Sequence, residues 1–312
     1  MMLFLILILL FYIAVLLYFK VSLGICKCSK HLVGKVVIVT GANTGIGYEV
    51  AKDMAHRGAR VILACKLEEY GKEAKDKIVA ATGNLNVDYK SVDLSSLNSV
   101  RAFCDDILKT ETQLDILINN AGTSTKAYKI TKDGLLLDMQ VNYFGHFLLT
   151  YLLLPLLKKS SPSRIINTSS ILHKAAKLNF DNLNMVNEEY NAQKVYNNSK
   201  LCNLLMSMEL ARRLSGTGVT ANSLHPGAVY TKLMTNHPVM KFDILRYIVR
   251  PFMKSSWEGA QTTIYLAVSP EVEGVTGGYF VDCKKTAPSI TAQDDHIASK
   301  LWEVSERLVG LN

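Results

Sequence analysis

A glycine-rich turn near the start of the chain constrains its fold more than any other feature. The β-branched run Val36–Thr40 leads directly into the sequence TGANTGIG at residues 40–47, and helical spacing continues over residues 48–57. Glycines at positions 41, 45 and 47 permit a tight turn and let the helix pack closely on the strand. A strand that turns at once into a helix is typical of a parallel sheet covered by helices.

The remainder of the chain repeats this alternation. Short runs of β-branched and apolar residues are separated mostly by segments of helical periodicity. Seven strands are predicted, at Val36–Thr40, Arg60–Ala64, Val87–Val92, Ile116–Ile118, Arg164–Asn167, Val219–Ser223 and Gly278–Val281. No repeat of fixed period and no linker rich in Pro, Gly or Ser divides residues 32–312. We therefore expect one α/β domain there, a doubly wound seven-stranded parallel sheet with helices on both faces.

Composition and charge limit the classes of partner. The chain has 312 residues, 49% of them hydrophobic, and a formal net charge of +8. This suits a globular protein that binds nucleic acid, an anionic membrane surface or an anionic cofactor. The basic residues are scattered and not interleaved with aromatic residues, so nucleic acid is not expected. The six cysteines form no disulfide pattern, which indicates a reducing compartment, and palmitoylation of Cys26 and Cys28 is left open.

The first nineteen residues carry no charged side chain and are almost all large and apolar. As a helix they would reach about 28 Å, just long enough to cross the bilayer core. No basic residue precedes them, which favours a transmembrane anchor over a cleaved signal peptide. Lys20, Lys27 and Lys30 follow, and positive charge beside a membrane helix stays cytosolic. We expect residues 1–31 to be a single-pass anchor with a basic segment, in the endoplasmic reticulum, and the domain to face the cytosol.

The glycine-rich turn also has the form of a dinucleotide site. Gly41 allows the turn, Gly45 lets backbone amides approach a pyrophosphate, and Gly47 allows helix and strand to pack closely. The helix N-terminus adds partial positive charge. Turns collect glycine for conformational reasons alone, but the position between the first strand and the first helix favours a dinucleotide cofactor.

The end of the second strand discriminates between NAD and NADP. An acidic side chain there would bond the ribose 2′-hydroxyl and repel a 2′-phosphate. This strand ends in Ala64-Cys65-Lys66, so no carboxylate stands at the position and Lys66 is a candidate partner for the phosphate. The predicted cofactor is therefore NADP(H).

Tyr196 and Lys200, four residues apart, are candidates for acid/base chemistry. On one helix they share a face, so the ammonium can lie near the phenol and lower a pKa that is ordinarily about 10. Ser170, after the fifth strand, is placed to donate to the same reacting oxygen, and Asn142 to hold a water that links Lys200 to solvent. Taken singly, these residues are more simply a surface pair, a cap and local structure.

The histidines are interpreted differently. His146, His173 and His225 show none of the spacings of a metal site, so each is interpreted as structural. No metal is expected in this protein.

Several motifs occur together in the order and approximate spacing of one family. They are TGANTGIG at residues 40–47, NNAG at 119–122, Ser170, YNNSK at 196–200 and Pro226-Gly227. In these motifs the chain resembles the short-chain dehydrogenase/reductase family, over essentially everything after Leu32. The segments VNYFGHF at 141–147, SKLCN at 199–203 and HPG at 225–227 resemble in particular the membrane-bound retinol dehydrogenase branch.

This resemblance implies a Rossmann-type fold and a role for each matching residue. Tyr196 would be the catalytic acid/base and Lys200 its electrostatic partner. Ser170 and Asn142 would complete a catalytic tetrad. The residues expected to bind NADP(H) are Gly41, Asn43, Thr44, Gly45, Ile46, Gly47, Lys66, Asp93, Asn119, Ala121, Gly122, Tyr196, Lys200, Pro226, Gly227, Val229 and Thr231.

Within that set the resemblance distinguishes the parts of the cofactor. Asp93 would contact the adenine, the segment from Asn119 to Gly122 would pass under the adenosine ribose, and Thr231 would hold the nicotinamide carboxamide. Lys66 departs from the branch, which commonly has arginine there. Because lysine lacks the planar fork of arginine, selectivity for the 2′-phosphate is expected to be looser.

The implied function is an NADP(H)-dependent oxidoreductase that interconverts a lipophilic alcohol and its aldehyde or ketone. Retinol and retinal are the leading pair, with steroid, farnesol-type and lipid-aldehyde substrates as alternatives. A hypothesis of another class is a catalytically idle NADP(H)-binding interaction protein at the membrane. The intact Ser170, Tyr196 and Lys200 argue against it. A homo-oligomer is left open.

Residues 231–255 are rich in large apolar side chains, with Arg246, Arg250 and Lys254 at four-residue spacing and Pro251 among them. One interpretation is a core helix with a solvated basic stripe. The other is a substrate lid that rests on an anionic membrane surface and admits a lipophilic substrate. The sequence leaves both interpretations open.

Overall fold

The computed structural model describes residues 2–125, 127–231 and 249–311. Within these ranges the strands form one sheet in the order β3-β2-β1-β4-β5-β6-β7-β8. The strands are β1 (Val36–Thr40), β2 (Arg60–Cys65), β3 (Val87–Ser91), β4 (Ile116–Asn119), β5 (Ser163–Thr168), β6 (Val219–His225), β7 (Tyr279–Val281) and β8 (Lys284–Lys285). All seven predicted strands form with nearly the predicted bounds, and the pairings among them are parallel.

The prediction of seven strands was one short. Lys284 and Lys285 form an eighth strand that pairs antiparallel with β7, with Val281 opposite Lys284 and Phe280 opposite Lys285. Two exposed lysines carry no apolar or β-branched signal, so only the turn that folds them back onto β7 makes them a strand.

The helices cover both faces of the sheet. The longer ones described are α1 (Met2–Val21), α2 (Gly45–His56), α3 (Glu68–Thr82), α4 (Leu97–Thr110), α5 (Gly145–Lys159), α6 (Ala192–Arg213), α7 (Ser256–Val268) and α8 (Asp295–Leu308). Neighbouring residues of β1 point to opposite faces: Ile38 belongs to one apolar core, and Val37 and Val39 belong to the other. Helices α4, α5, α6 and α8 contribute to the first core, and α2, α3 and α7 to the second.

The N-terminal prediction needs a correction. A helix forms over Met2–Val21, but no helix among the described residues is long and apolar enough to cross a membrane. The end of α1 instead contacts the domain: Lys20 pairs with Glu258 at 2.7 Å, and the Phe19 ring lies edge-on to Phe252, with centroids 5.7 Å apart. The predicted cytosolic orientation and the endoplasmic reticulum stay predictions.

The basic stripe predicted over residues 231–255 is also not formed as expected. Arg246 lies outside the described residues. Arg250 begins a short 3-10 helix, Arg250–Phe252, and its guanidinium lies 5.1 Å from the centre of the Tyr230 ring. Lys254 is buried. Arg250 and Lys254 therefore do not share one solvated helical face.

Helix α7 packs against both the loop after β6 and the glycine-rich turn. It begins with a capping box, in which Ser255 Oγ accepts from the Glu258 amide and Glu258 Oε2 accepts from the Ser255 amide. Gly259, one turn in, lies so close to the loop after β6 that a Cβ there would come within 2.6 Å of Val229 Cγ2. The same Cβ would lie 3.3 Å from Ile46 Cγ1, in the glycine-rich turn.

We predict that Ser255→Ala destabilises the protein by about 1 kcal/mol, because it removes the side-chain acceptor for the first turn of α7. Urea denaturation measures the change in the free energy of unfolding. Ser256→Ala is the matched control, since Ser256 is the first residue of the helix and not its cap. Equal destabilisation by both substitutions would contradict the capping role.

Candidate active site

The candidate site lies at the carboxyl ends of the parallel strands. The chain runs outward from β1 to β2 and β3, and then returns to pair β4 on the other side of β1. At such a switch in direction the loops after β1 and β4 separate and leave a crevice, the usual binding place in sheets of this kind. The glycine-rich turn follows β1 and the NNAG motif follows β4.

The glycine-rich turn has the geometry of a cradle. Gly41 and Gly45 have positive φ angles of 65° and 60°, which favour glycine. A Cβ on Gly47 would come within 2.4 Å of Gly41 O and 2.5 Å of Asn120 Nδ2. The N-cap residue of α2, Thr44, is exposed and makes no side-chain cap hydrogen bond within the described chain. The first amides of α2 are therefore left for an anion such as a pyrophosphate.

Thr40 fixes this turn to the NNAG loop, and the sequence reasoning missed it. Its hydroxyl oxygen accepts from the amides of Asn120 and Ala121 at 2.9 and 3.0 Å, and lies 2.8 Å from His146 Nε2. Its carbonyl oxygen accepts from Asn120 Nδ2 at 2.9 Å. A polar residue at the end of an otherwise apolar buried strand is the signal that could have identified it.

His146 extends the same network to Asn142. Its Nδ1 lies 3.2 Å from the Asn142 carbonyl oxygen, which can only accept, so Nδ1 carries the proton and Nε2 accepts from Thr40. Burial lowers the pKa of His146 to about 3, which agrees with a neutral ring. The histidine interpreted as structural thus links the glycine-rich turn to a predicted tetrad residue.

The two residues predicted to bind the adenosine end of the cofactor lie against each other. Lys66 Nζ lies 2.9 Å from Asp93 Oδ2, so the predicted phosphate partner and the predicted adenine contact are paired with each other. Burial acts to raise the pKa of Asp93, but hydrogen bonds from Ser95 and Lys66 hold it below its ordinary value. Lys66 remains well exposed, so its ammonium is accessible to a phosphate.

In the NNAG segment, one part packs in the core and another borders the crevice. Asn119 Nδ2 donates to Thr150 Oγ1 and to Asn167 Oδ1, at 2.8 and 2.7 Å, so this side chain is used in the core. Ala121 lies against Gly41, where an added Cβ would be 3.0 Å from Ala121 Cβ. A Cβ on Gly122 would lie 3.5 Å from both Asn142 Oδ1 and Lys200 Nζ. The backbone after β4 therefore borders the predicted tetrad.

Ser170, Tyr196 and Lys200 come together at the end of β5. The Ser170 hydroxyl is hydrogen-bonded to the Tyr196 phenol. Lys200 Nζ lies 5.5 Å from the centre of the Tyr196 ring and donates to the Thr168 carbonyl at 3.1 Å. All three residues are on elements that meet here, since Ser170 follows β5 and the other two lie on α6.

Burial dominates the electrostatics of this group. It lowers the pKa of Lys200 to about 8. Burial also raises the pKa of Tyr196, while the hydrogen bond with Ser170 acts in the opposite direction. The sequence reasoning expected Lys200 to lower the pKa of this phenol, but in the structure burial prevails.

Asn142 lies in a π-helical turn, Gln140–Phe144, just before α5. Its side-chain amide accepts from the Thr123 amide at 2.7 Å and donates to the Thr123 carbonyl and to Ser199 Oγ at 2.9 and 3.1 Å. The side chain thus connects the loop after NNAG to α6. Its oxygen and its nitrogen both already have hydrogen-bond partners.

The loop after β6 closes the site. Gly227 has a φ of 92°, and the side chain of Lys254 packs directly beneath it. A Cβ on Gly45 would be 3.7 Å from Thr231 Cγ2, so the end of this loop meets the glycine-rich turn. Val229 also reaches α7 and is buried. Of the predicted residues in this loop, Thr231 lies beside Gly45, and Val229 lies with Ile46 against Gly259.

These features define a nucleotide-binding α/β oxidoreductase. The profile of the family described as short chain dehydrogenase matches residues 35–240, well over half of the chain. The protein belongs to the short-chain dehydrogenase family, and within it to the retinol dehydrogenase branch. It is an oxidoreductase with a nicotinamide cofactor.

Curated relatives match the chain over nearly their whole length. Bovine retinol dehydrogenase 12 is 45% identical, covering 92% of this chain and 90% of the relative. Human retinol dehydrogenase 14 is 46% identical, covering 89% and 87%, and human retinol dehydrogenase 13 is 44% identical, covering 96% and 91%.

Solved structures agree on the fold. An uncharacterized protein from Mycobacterium paratuberculosis is 31% identical with a TM-score of 0.74, covering 90% of this chain and 95% of that one. The RhlG/NADP active-site complex from Pseudomonas aeruginosa is 26% identical with a TM-score of 0.65, covering 80% and 95%. The chain thus shares its fold with a structure solved as an NADP complex.

We predict that Lys200→Met stabilises the protein at pH 7 by up to about 3 kcal/mol. The pKa of Lys200 is lowered to about 8 in the folded state from an ordinary 10.5, so below pH 8 folding must bury a charge. The gain in the free energy of unfolding should decrease as the pH rises from 8 to 10.5. In that range Lys200 keeps its proton in the unfolded chain but not in the folded one. Denaturant unfolding at pH 7 and pH 10 measures it.

The control is Lys194→Met on the same helix, because Lys194 is exposed and paired with Glu188 at its surface. That substitution should show no stabilisation that disappears at high pH. A pH-independent gain for Lys200→Met would contradict the burial of a charge at this position.

Proposed function

We propose that this protein is an NADP(H)-dependent oxidoreductase that interconverts a lipophilic alcohol and its aldehyde or ketone, with retinol and retinal as the leading pair. One observation carries the chemistry. The Ser170 hydroxyl, the Tyr196 phenol and the buried Lys200 ammonium lie together beside Gly122, in the loop after β4 that borders the crevice. The substrate class rests on the relatives named retinol dehydrogenases.

The residues of the glycine-rich turn suit the cofactor. Gly41 and Gly47 lie too close to neighbouring protein atoms to carry a side chain, which keeps the turn tight, and the start of α2 offers amides to a pyrophosphate. Thr231 lies next to Gly45, in reach of the other half of a dinucleotide. NADP(H), bound here, supplies or accepts the hydride.

Tyr196 moves the proton. In reduction the phenol donates its proton to the carbonyl oxygen as the carbonyl carbon gains the hydride, and in oxidation the phenolate takes the proton back. A pKa raised by burial keeps the phenol protonated at neutral pH, which is the form that reduction requires. Ser170 donates to the same substrate oxygen and holds it in line with the phenol.

Lys200 stabilises the charge that this transfer leaves on Tyr196. Its ammonium lies beside the phenol ring in a site from which water is excluded, where a cation acts strongly on a developing phenolate. Asn142 holds α6 in place through Ser199 and keeps the loop at Thr123 beside Lys200. The predicted water relay would then involve the main chain around Asn142, since its side chain is occupied.

A direct test is the oxidation of NADPH, followed by its fluorescence, against retinal, farnesal, a steroid ketone and a medium-chain aldehyde. We expect the fastest turnover with retinal. Turnover with another of these substrates would reassign the substrate class, and bound NADPH with no turnover of any would favour the idle binding protein. Reduction is the expected cellular direction where the NADP(H) pool is kept reduced.

We predict that Tyr196→Phe lowers kcat at least about 100-fold, because it removes the group that transfers the proton. NADPH should still bind, which a fluorescence titration measures. Tyr265→Phe is the control: its phenol bonds Glu271 away from the crevice, so its loss should leave turnover unchanged. Full activity of Tyr196→Phe would overturn the mechanism.

We predict that Lys66→Ala weakens NADPH binding at least fivefold and leaves NADH binding within about twofold, since only NADPH carries the 2′-phosphate that this ammonium would contact. Dissociation constants for both cofactors measure the change. Lys72→Ala is matched, because Lys72 is also exposed and ion-paired, with Glu68. Parallel changes for both cofactors would show that Lys66 does not read the phosphate.

A further inference from the structure

The turn between β7 and β8 holds a carboxylate in an unusual position. Asp282 and Cys283 have φ angles of 50° and 59°, which make a tight two-residue hairpin; aspartate is common in this conformation, whereas cysteine seldom adopts it. Each residue is tied down, Cys283 through its amide to Thr262 Oγ1 at 3.3 Å. The hairpin directs Asp282 toward the loop after β6.

Asp282 is the partner of a buried lysine. Lys254 is only 8% exposed, and its Nζ lies 2.5 Å from Asp282 Oδ1. Breaking a buried ion pair leaves an uncompensated charge, so removing the carboxylate would favour a shift of the Lys254 side chain. The position of the lysine side chain therefore depends on Asp282.

Lys254 in turn supports the loop proposed to hold the nicotinamide. Its amide donates to the Ala228 carbonyl at 2.8 Å, and its carbonyl accepts from the Tyr230 amide at 2.9 Å. Its side chain packs under Gly227, where a Cβ would come within 2.7 Å of Lys254 Cε. A shift of Lys254 would thus displace the backbone from Gly227 to Tyr230.

The third member of the arrangement is the segment after α1, residues 22–31, here called the N-terminal strap. The Gly24 amide donates to Asp282 Oδ1 at 3.4 Å, and a Cβ on Gly24 would come within 2.0 Å of the Asp282 carbonyl oxygen. The Cys26 amide donates to Gln261 Oε1 at 3.1 Å, which fixes the strap to α7. Arg57 donates to the carbonyls of Cys28 and Lys30 at 2.8 and 2.9 Å.

We propose that Asp282 is a positioning residue through which the N-terminal strap sets the affinity for NADP(H). One carboxylate oxygen receives both the strap amide and the Lys254 ammonium, so the strap and the nicotinamide loop share a single anchor. Residues 22–31 then do more than connect α1 to the domain. They complete the support of the cofactor site from outside. This inference rests on the proposed binding of NADP(H) at Gly227.

The test uses the full chain with Gly24→Ala, Asp282→Asn and Lys254→Met. We expect Gly24→Ala and Asp282→Asn to raise the dissociation constant for NADPH roughly tenfold, within the range typical of coupling between sites. The value of kcat at saturating NADPH should change less than about threefold, because Ser170, Tyr196 and Lys200 are untouched. Ser29→Ala, an exposed change in the same strap, is the control and should leave binding unchanged.

Two further measurements separate positioning from general stability. Lys254→Met removes the cation, whereas Lys254→Arg keeps one that can reach Asp282. Lys254→Arg should therefore bind NADPH with a dissociation constant within about threefold of that of the parent protein. Gly24→Ala should add nothing to Asp282→Asn, because both act by disrupting the contact between Asp282 and Lys254. Additive effects, or a lowered Tm with an unchanged NADPH dissociation constant, would overturn the proposal.

The two hypotheses fail in different ways. A parent protein that does not bind NADPH would contradict the proposed function. A parent protein that binds NADPH, with Gly24→Ala and Asp282→Asn within twofold of it, would overturn the role of the strap alone. If Lys254→Met does not fold, Gly24→Ala still decides, because it changes the strap without leaving a buried charge unpaired.

Discussion

The site depends on the hydrogen bonds of the Thr40 hydroxyl. It stands at the end of β1, accepts from two amides of the NNAG loop and contacts His146, which reaches the Asn142 carbonyl. The loops after β1 and β4 and the turn before α5 are thus held at one point. Because this group is fully buried, any loss of a partner leaves a polar atom without solvent. The crevice is therefore kept in a single geometry.

Two buried lysines give the site its electrostatic character. Lys254 has a carboxylate partner, Asp282, so its charge is neutralised where it lies. Lys200 donates to a backbone carbonyl, and no carboxylate pairs with it among the described residues. The protein thus retains an uncompensated cation next to the Tyr196 ring, at the cost of a lowered pKa. In the proposed mechanism, a phenolate that forms on Tyr196 during proton transfer would supply the missing partner.

Much of the fold and of the site could be predicted because the signals are local. Seven strands follow from short apolar runs, and the glycine positions follow from the turn they must form. Other features carry no local signal. The eighth strand consists of two exposed lysines, the pairing of Lys66 with Asp93 joins two different loops, and Lys254 is basic in a segment that suggests a solvated stripe. These depend on which residues the fold brings together.

The class of fold, the glycine-rich turn after β1 and the residues at the carboxyl ends of the strands follow from the sequence alone. Residue type and spacing indicate the backbone conformation and the apolar face of each element. The tertiary structure decided the protonation states and the partners. The burial of these two polar side chains, which their residue types do not indicate, raises the pKa of Tyr196 and lowers that of Lys200. Only the fold brings Asp282, distant in sequence, to both the Gly24 amide and the Lys254 ammonium, whose side chain packs under Gly227.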